Sequence, residues 1–189
     1  MSGTRDIILE KALDLFRREG YENAGIQKIV DASGITKPTL YHYFGSKRGL
    51  LEALLATYFD PFREPLEKTV RYDGDISMQL ETIARLYFHF ATEHVDFYQW
   101  YLSIVQAPEE SDPGEVVRPV LEWQWKLLDQ LFRDAAKDHG NMKGKSGRYA
   151  YLFLGVINTT ITSSAFGLVK LDDECAFLTC KQFMHGIFS

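Results

Sequence analysis

Apolar residues recur every three or four positions along most of the chain, and no segment alternates convincingly at period two. Ile8, Ala12, Leu15 and Phe16 stand at i, i+4, i+7 and i+8, which predicts an amphipathic helix over 4–19 stopped by Gly20. Ile26, Ile29 and Val30 mark a short second helix ending at Gly34. Thr36 is a suitable N-cap, Pro38 falls in a first turn where a missing N–H costs nothing, and Gly45 supplies a stop, so a third helix is about two turns long. Ser46 can cap a fourth that opens Lys47-Arg48-Gly49-Leu50-Leu51 and continues toward Tyr58, where Pro61 and Pro65 are expected to bend or interrupt it.

After residue 70 the helices lengthen and their apolar faces broaden. Leu80, Ile83, Ala84, Tyr87 and Ala91 are in register over 77–95, and further helices are expected over 97–106, 115–139, 148–169 and 173–187. The Pro- and acid-rich stretch 107–114 and the Gly- and Lys-rich stretch 140–147 read as loops. The fold class is therefore all-α, with about nine helices and no internal repeat. A small N-terminal domain over 1–47 precedes a larger helical body over 48–189, the boundary falling near the fourth helix.

Composition adds exclusions. The 189 residues are 46% hydrophobic and 25% charged, as in a globular protein, with an aromatic share of 14% as the outlier. No run of 18 apolar residues occurs, and Met1-Ser2-Gly3-Thr4-Arg5-Asp6 leads into a mixed-charge segment, so neither a membrane span nor a signal peptide is expected. Cys175 and Cys180, five apart, make neither a disulfide framework nor a zinc spacing and point to a reduced, cytoplasmic setting, in which the sequon at Asn158 is coincidental. The net charge of −5 is unevenly spread. Residues 1–50 carry eight Lys/Arg against six Asp/Glu, and the remainder 13 against 20, so a mildly basic head sits on an acidic body.

Two short helices joined by Ala32-Ser33-Gly34-Ile35-Thr36 are the pattern of a helix-turn-helix. The turn glycine lets the chain leave the first helix at positive φ, so that the second crosses it steeply. Leu40 and Phe44, with Ala12, Phe16, Ile26 and Ile29, can form a small core, which leaves Lys37, Thr39, Tyr41 and His42 outward. A cation, two hydroxyls and an imidazole suit phosphate and base-edge contacts.

The stretch from Gly20-Tyr21 to Leu50, above all Gly34-Ile35-Thr36-Lys37-Pro38-Thr39-Leu40-Tyr41-His42-Tyr43-Phe44-Gly45-Ser46-Lys47, resembles the DNA-binding head of the TetR family of bacterial transcriptional repressors. The resemblance implies a three-helix head, a fourth helix linking it to an all-helical body, and a homodimer whose body binds a small molecule. Position by position, it places Thr36 at the start of the recognition helix and Lys37, Pro38 and Thr39 against bases and adjacent phosphates. It places Tyr41 and Lys47 on phosphates, His42 on base or phosphate, and Gln27 and Lys28 near the backbone or groove edge. One departure is visible: Ala24-Gly25 stands where the family usually carries a Thr or Ser hydroxyl, so the second helix is expected to lack a side-chain cap.

The body is less specific. Tyr87, Phe88, Phe90, Phe97, Tyr98, Trp100, Tyr101, Trp123 and Trp125 crowd a short stretch and can supply an apolar pocket as well as a core. With the family plan, the pocket is expected from Tyr87, His94, Tyr101, Trp123 and Leu127, facing Phe153 and Asn158. His89, Glu93 and His94 are spaced i, i+4, i+5, and only the first two share a helical face, so no metal site is expected. No nucleophile-base pair, phosphate-cradling loop or paired-carboxylate motif stands out, and neither an enzyme nor a cofactor is expected. The last two helices mix Gly155, Ala165, Gly167, Ala176 and Gly186 with Phe166, Phe177, Phe183 and Phe188, and the resemblance implies that they meet a two-fold mate. The expectation is a homodimeric repressor that leaves a palindromic DNA operator when a small apolar or aromatic effector enters the body. The alternatives are an activator of the same fold, or a carrier or enzyme with a vestigial head.

Overall fold

The computed structural model describes residues 3–186, and Phe188 of the expected dimer face lies outside them. Nine α-helices and one 3₁₀ turn, Gly140–Met142, make up the regular structure of the described residues. The first three, α1 (Thr4–Glu19), α2 (Ile26–Ser33) and α3 (Lys37–Phe44), fall where the apolar pattern puts them. The others are α4 (Lys47–Thr69), α5 (Ile76–Glu93), α6 (Val95–Ile104), α7 (Asp112–Ala135), α8 (Ser146–Ala165) and α9 (Asp173–His185).

Several helix bounds differ from expectation, and α4, α7 and α8 show why. α4 runs unbroken through Pro61 and Pro65. Each interior proline costs about 3 kcal/mol, but the helix buries Leu50, Leu51, Leu54, Leu55, Phe59, Phe62 and Leu66, and each such side chain recovers roughly 1.5–3 kcal/mol. Burial wins over local propensity. α7 starts three residues early because Ser111 acts as its cap: the Oγ accepts from the Gly114 N–H at 3.2 Å, and Pro113 lies in the first turn. Gly114 is required there, since a Cβ would collide with the Pro108 carbonyl of the doubling chain. α8 stops at Ala165, where the N–H groups of Phe166, Gly167 and Leu168 turn back to the carbonyls of Ser163 and Ser164.

The helices divide into two compact units. One comprises Met1–Asp60 and Asp96–Pro119, so it holds α1 to α3, the first part of α4, nearly all of α6 and the first two turns of α7. Its interior contains Ile8, Ala12, Phe16, Ile29, Leu40, Phe44 and Leu50; Ile26, expected among them, is only half-buried. The second comprises Pro61–Val95 and Val120–Ser189, where α5 packs on α8 and α9 around Leu80, Ile83, Tyr87, Leu128, Phe132, Phe153, Ile157 and Cys180. No described helix is long and apolar enough to cross a membrane.

Candidate functional site

α2 and α3 form the helix-turn-helix. Gly34 closes α2 at φ 64° and ψ 32°, a left-handed conformation in which a Cβ would be strained, and its N–H reaches the carbonyls of Asp31 and Val30. Thr36 caps α3: its Oγ1 accepts from the Thr39 N–H at 3.4 Å and lies 2.9 Å from the Thr39 hydroxyl. Pro38 sits in the first turn, and Gly45 ends the helix after two turns. Leu40 is fully buried and Phe44 nearly so, while Lys37 at the start of α3, Pro38, Tyr41 and His42 are exposed, Tyr41 by 46%. Thr39 is half-buried and shares its hydroxyl with the cap.

Tyr43 belongs with this set and was not among the residues expected there. It is 43% exposed, with its ring edge-on to His42 at 5.6 Å. Three residues after Leu40 and next to Phe44, it fits the i, i+3, i+4 pattern of a buried face, so the periodicity gives no sign of its exposure.

The flanking positions are engaged within the protein. Gln27 donates to Asp31 at 2.7 Å, and Lys28 pairs with Glu19 at 2.5 Å. Gly25 caps α2 with no side-chain hydrogen bond, while Ala24 is fully buried, as the Ala24-Gly25 departure implied. The Lys47 ammonium donates to the Tyr21 carbonyl and, at 3.3 Å, to that of Glu22, and it lies 4.2 Å from the centre of the Tyr21 ring. Burial holds its pKa below the usual lysine range, opposed by the negative charges of Glu22 and Asp112.

The residues expected to line a body pocket have different surroundings. Tyr87, Phe153 and, in the other unit, Tyr101 are fully buried. The Tyr87 hydroxyl donates to Gln124 Oε1 at 2.8 Å, and Phe153 packs against Phe183 with ring centres 5.0 Å apart. His94 is half-buried at the C-cap of α5, edge-on to Phe90 at 5.0 Å. Trp123 lies under the Arg63 guanidinium at 4.3 Å and donates its indole N–H to Glu67 at 3.2 Å. Leu127 and Asn158 are half-buried. A feature missed in the sequence is Gln124, 1% exposed; its place in the row Val120, Gln124, Leu128, spaced by four, marks it as inward.

An open groove of about 1570 Å³ runs along α8 and α9, and it involves none of those seven residues. Leu152, Val156, Val169 and Leu178 supply its apolar surface, with Thr159 and Gln182 among its polar lining. Tyr151, Leu152, Phe177 and Leu178 are each about half exposed, and Phe166 and Leu168 reach 76% and 75%. No group of three His, Cys, Asp or Glu residues able to hold a metal occurs among the described residues.

Comparison with known proteins agrees with this arrangement. Residues 8–54 match the family model described as bacterial regulatory proteins, tetR family. The whole chain is similar to the HTH-type transcriptional activator FasR of Mycolicibacterium smegmatis, 26% identical over 185 residues, covering 96% of this chain and 81% of that protein. The fold is shared with a putative fatty acid metabolism regulator of Clostridium perfringens at TM-score 0.84, with 15% identity and coverage of 97% and 99%. It is also shared with the transcriptional regulator FadR of Bacillus subtilis in complex with stearoyl-CoA, at TM-score 0.79 and 18% identity, covering 96% of this chain and 98% of that one.

Proposed function

From a chain that belongs to the TetR family of DNA-binding regulators, a family of regulators and not of enzymes, we infer a homodimeric transcription factor whose palindromic operator is released when an apolar effector binds. The observation that carries the reading is the presentation of α3, which leaves Lys37, Tyr41, His42 and Tyr43 exposed while Leu40 and Phe44 anchor it in the interior. Lys37 and Thr39 read bases or adjacent phosphates, Tyr41 and Tyr43 offer hydroxyls to phosphates, and His42 takes either. Gln27, Lys28 and Lys47 lie at the edges of this footprint, and the last two exchange their present internal partners for phosphates when DNA arrives.

The dimer forms through α8 and α9. Two copies of a groove lined by Tyr151, Leu152 and Leu178 bury apolar surface that a lone chain leaves in water. Two heads then meet successive major-groove faces about 34 Å apart, or a multiple of it.

The effector is a long apolar chain, and an acyl thioester is the class the relatives' descriptions favour, one of them being a complex with stearoyl-CoA. Tyr87, His94, Trp123, Leu127, Phe153 and Asn158, all of the second unit, remain the proposed lining, to which Gln124 is added as a buried polar group that can orient a ligand. Repression is the primary reading, and activation is the second, favoured by the activator FasR among the relatives. The test is fluorescence anisotropy of a selected DNA duplex with the purified protein during titration with stearoyl-CoA. Release at a stoichiometric ratio supports the effector assignment, and unchanged binding at saturating thioester removes it.

A further inference from the structure

The two basic residues that open α4 have different partners. Lys47 faces backbone carbonyls, whereas Arg48 faces carboxylates from two helices. Arg48 Nε meets Glu52 Oε1 at 3.1 Å, one turn along α4. Its Nη1 meets Glu115 Oε2 and, at 3.6 Å, Asp112 Oδ1, both on the first turns of α7. The second oxygen of Asp112 accepts from the Tyr21 hydroxyl at 2.8 Å, and the Tyr21 ring lies beneath Lys47. The bonds therefore close a circuit from the segment after α1, through the start of α7, to the start of α4. Apolar packing runs parallel to it: Phe16 of α1 stacks on Trp100 of α6 at 6.1 Å, and Arg17 pairs with Asp96 at 2.8 Å.

A guanidinium at the edge of a basic head would ordinarily be assigned to phosphate. Here one positive charge faces three negative ones, so the cluster as a whole carries no positive charge to offer a polyanion. Tyr21 is 6% exposed, and its hydroxyl is taken up by Asp112 of α7. We propose that Arg48 is a positioning residue that clamps the head to the first turns of α7 through Glu115 and Asp112, with Tyr21 as the second fastening, and that it neutralises no DNA phosphate. This rests on the reading of α3 as the DNA-reading helix. The clamp fixes the angle at which α3 is presented, and it makes α6 and the start of α7 part of the rigid support of the head.

Two measurements on the full-length protein decide it. The first is the dissociation constant for a selected duplex across a range of salt concentrations, for the unaltered protein, Arg48→Gln, Arg48→Lys and Glu115→Gln. The expected result is binding weakened by about two- to tenfold in both glutamine variants, with partial recovery in Arg48→Lys and an unchanged slope of log K against log salt. A slope reduced by about 0.9 in Arg48→Gln, with tighter binding in Glu115→Gln, would identify Arg48 as a phosphate contact masked by carboxylates and overturn the proposal. Unchanged affinity in both glutamine variants would overturn it as well.

The second measurement is a double-mutant cycle on urea unfolding with Arg48→Gln, Glu115→Gln and the pair, which involves no DNA. A coupling of about two- to fivefold in the unfolding equilibrium is expected, and additive effects would mean that the clamp is not formed in solution. Failure of the unaltered protein to bind any duplex, with the coupling intact, would instead remove the reading of α3 and, with it, Arg48's part in DNA binding.

Discussion

The hydroxyl of Tyr87 on α5 donates to the side-chain oxygen of Gln124 on α7 across 2.8 Å, and both residues are almost wholly removed from water. The Gln124 amide in turn donates to the Val120 carbonyl at 3.2 Å, one turn back on its own helix. A polar pair inside an apolar interior helps to fix how two helices register, because a slide would break a buried hydrogen bond. Tyr87→Phe keeps the ring packed against Phe62 and removes only the donor, so it should cost about 1–3 kcal/mol in urea unfolding. Gln124→Met should cost a comparable amount, and the double variant should cost less than the sum of the two. Additivity would show that the pair does not interact in solution.

Gly34 carries the turn at φ 64°, with no neighbour within 4 Å of the position a Cβ would take. Replacement is opposed by backbone strain and not by crowding. Gly34→Ala should lose about 1–2 kcal/mol of stability, and Gly34→Asn less, because asparagine tolerates the left-handed region better. The check is chemical denaturation of both variants beside the parent, with equal loss in the two counting against a conformational origin.

The proposed dimer face makes a separate prediction. Leu178→Glu places a charge on an exposed, apolar part of the α8–α9 groove and should leave the fold of a single chain intact. Sedimentation equilibrium should then show a monomer where the parent is a dimer, and operator affinity should fall at least a hundredfold. A dimer of undiminished strength would move the interface elsewhere.

Cys180 is fully buried, and burial, reinforced by the negative charge of Glu81, pushes its thiol up to about 12. At pH 8 the thiol is therefore held in its neutral form, and it should not react with a thiol reagent until the protein unfolds. The same shift has a sign for stability. The thiol is neutral in both states below pH 9, so it contributes nothing there; as pH rises from 9 toward 12 the unfolded chain releases its proton first, and stability falls. Tyr21 acts in the same direction in the alkaline range, since burial and its hydrogen bond to Asp112 both raise its pKa. Urea midpoints that fall less steeply above pH 9 in Cys180→Ala than in the parent would bear this out. Parallel midpoint curves would remove the Cys180 contribution.

The head could be read from the sequence because its determinants are local. The Thr36 cap, Pro38, the Gly34 turn and the apolar period of α1 each act within a few residues, and the observed helices begin and end where these residues direct. Local rules failed where packing at a distance overrode them. Pro61 and Pro65 do not break α4, because its buried stripe runs on both sides of them. Ser111 was hidden by the Pro and Gly that follow it, although those residues belong to the first turn of α7. The clamp was out of reach altogether: Tyr21 and Asp112 are 91 positions apart, Arg48 and Glu115 are 67 apart, and all but Tyr21 look like ordinary solvated charges. The surroundings of Trp123, whose indole meets Arg63 and Glu67 at a half-buried position, were equally out of reach, since neither partner is close to it in the sequence.

The central claim is that paired heads read a two-fold symmetric DNA site through α3. Selection of bound duplexes from a random pool by the purified protein, followed by salt titration of the enriched sequence, tests it most directly. The expected result is an enriched palindrome with half-site centres about 10 base pairs apart or a multiple of that, bound far more tightly than random DNA and with an affinity that falls steeply with salt. No enrichment, with only weak and salt-sensitive binding to every sequence, would contradict it.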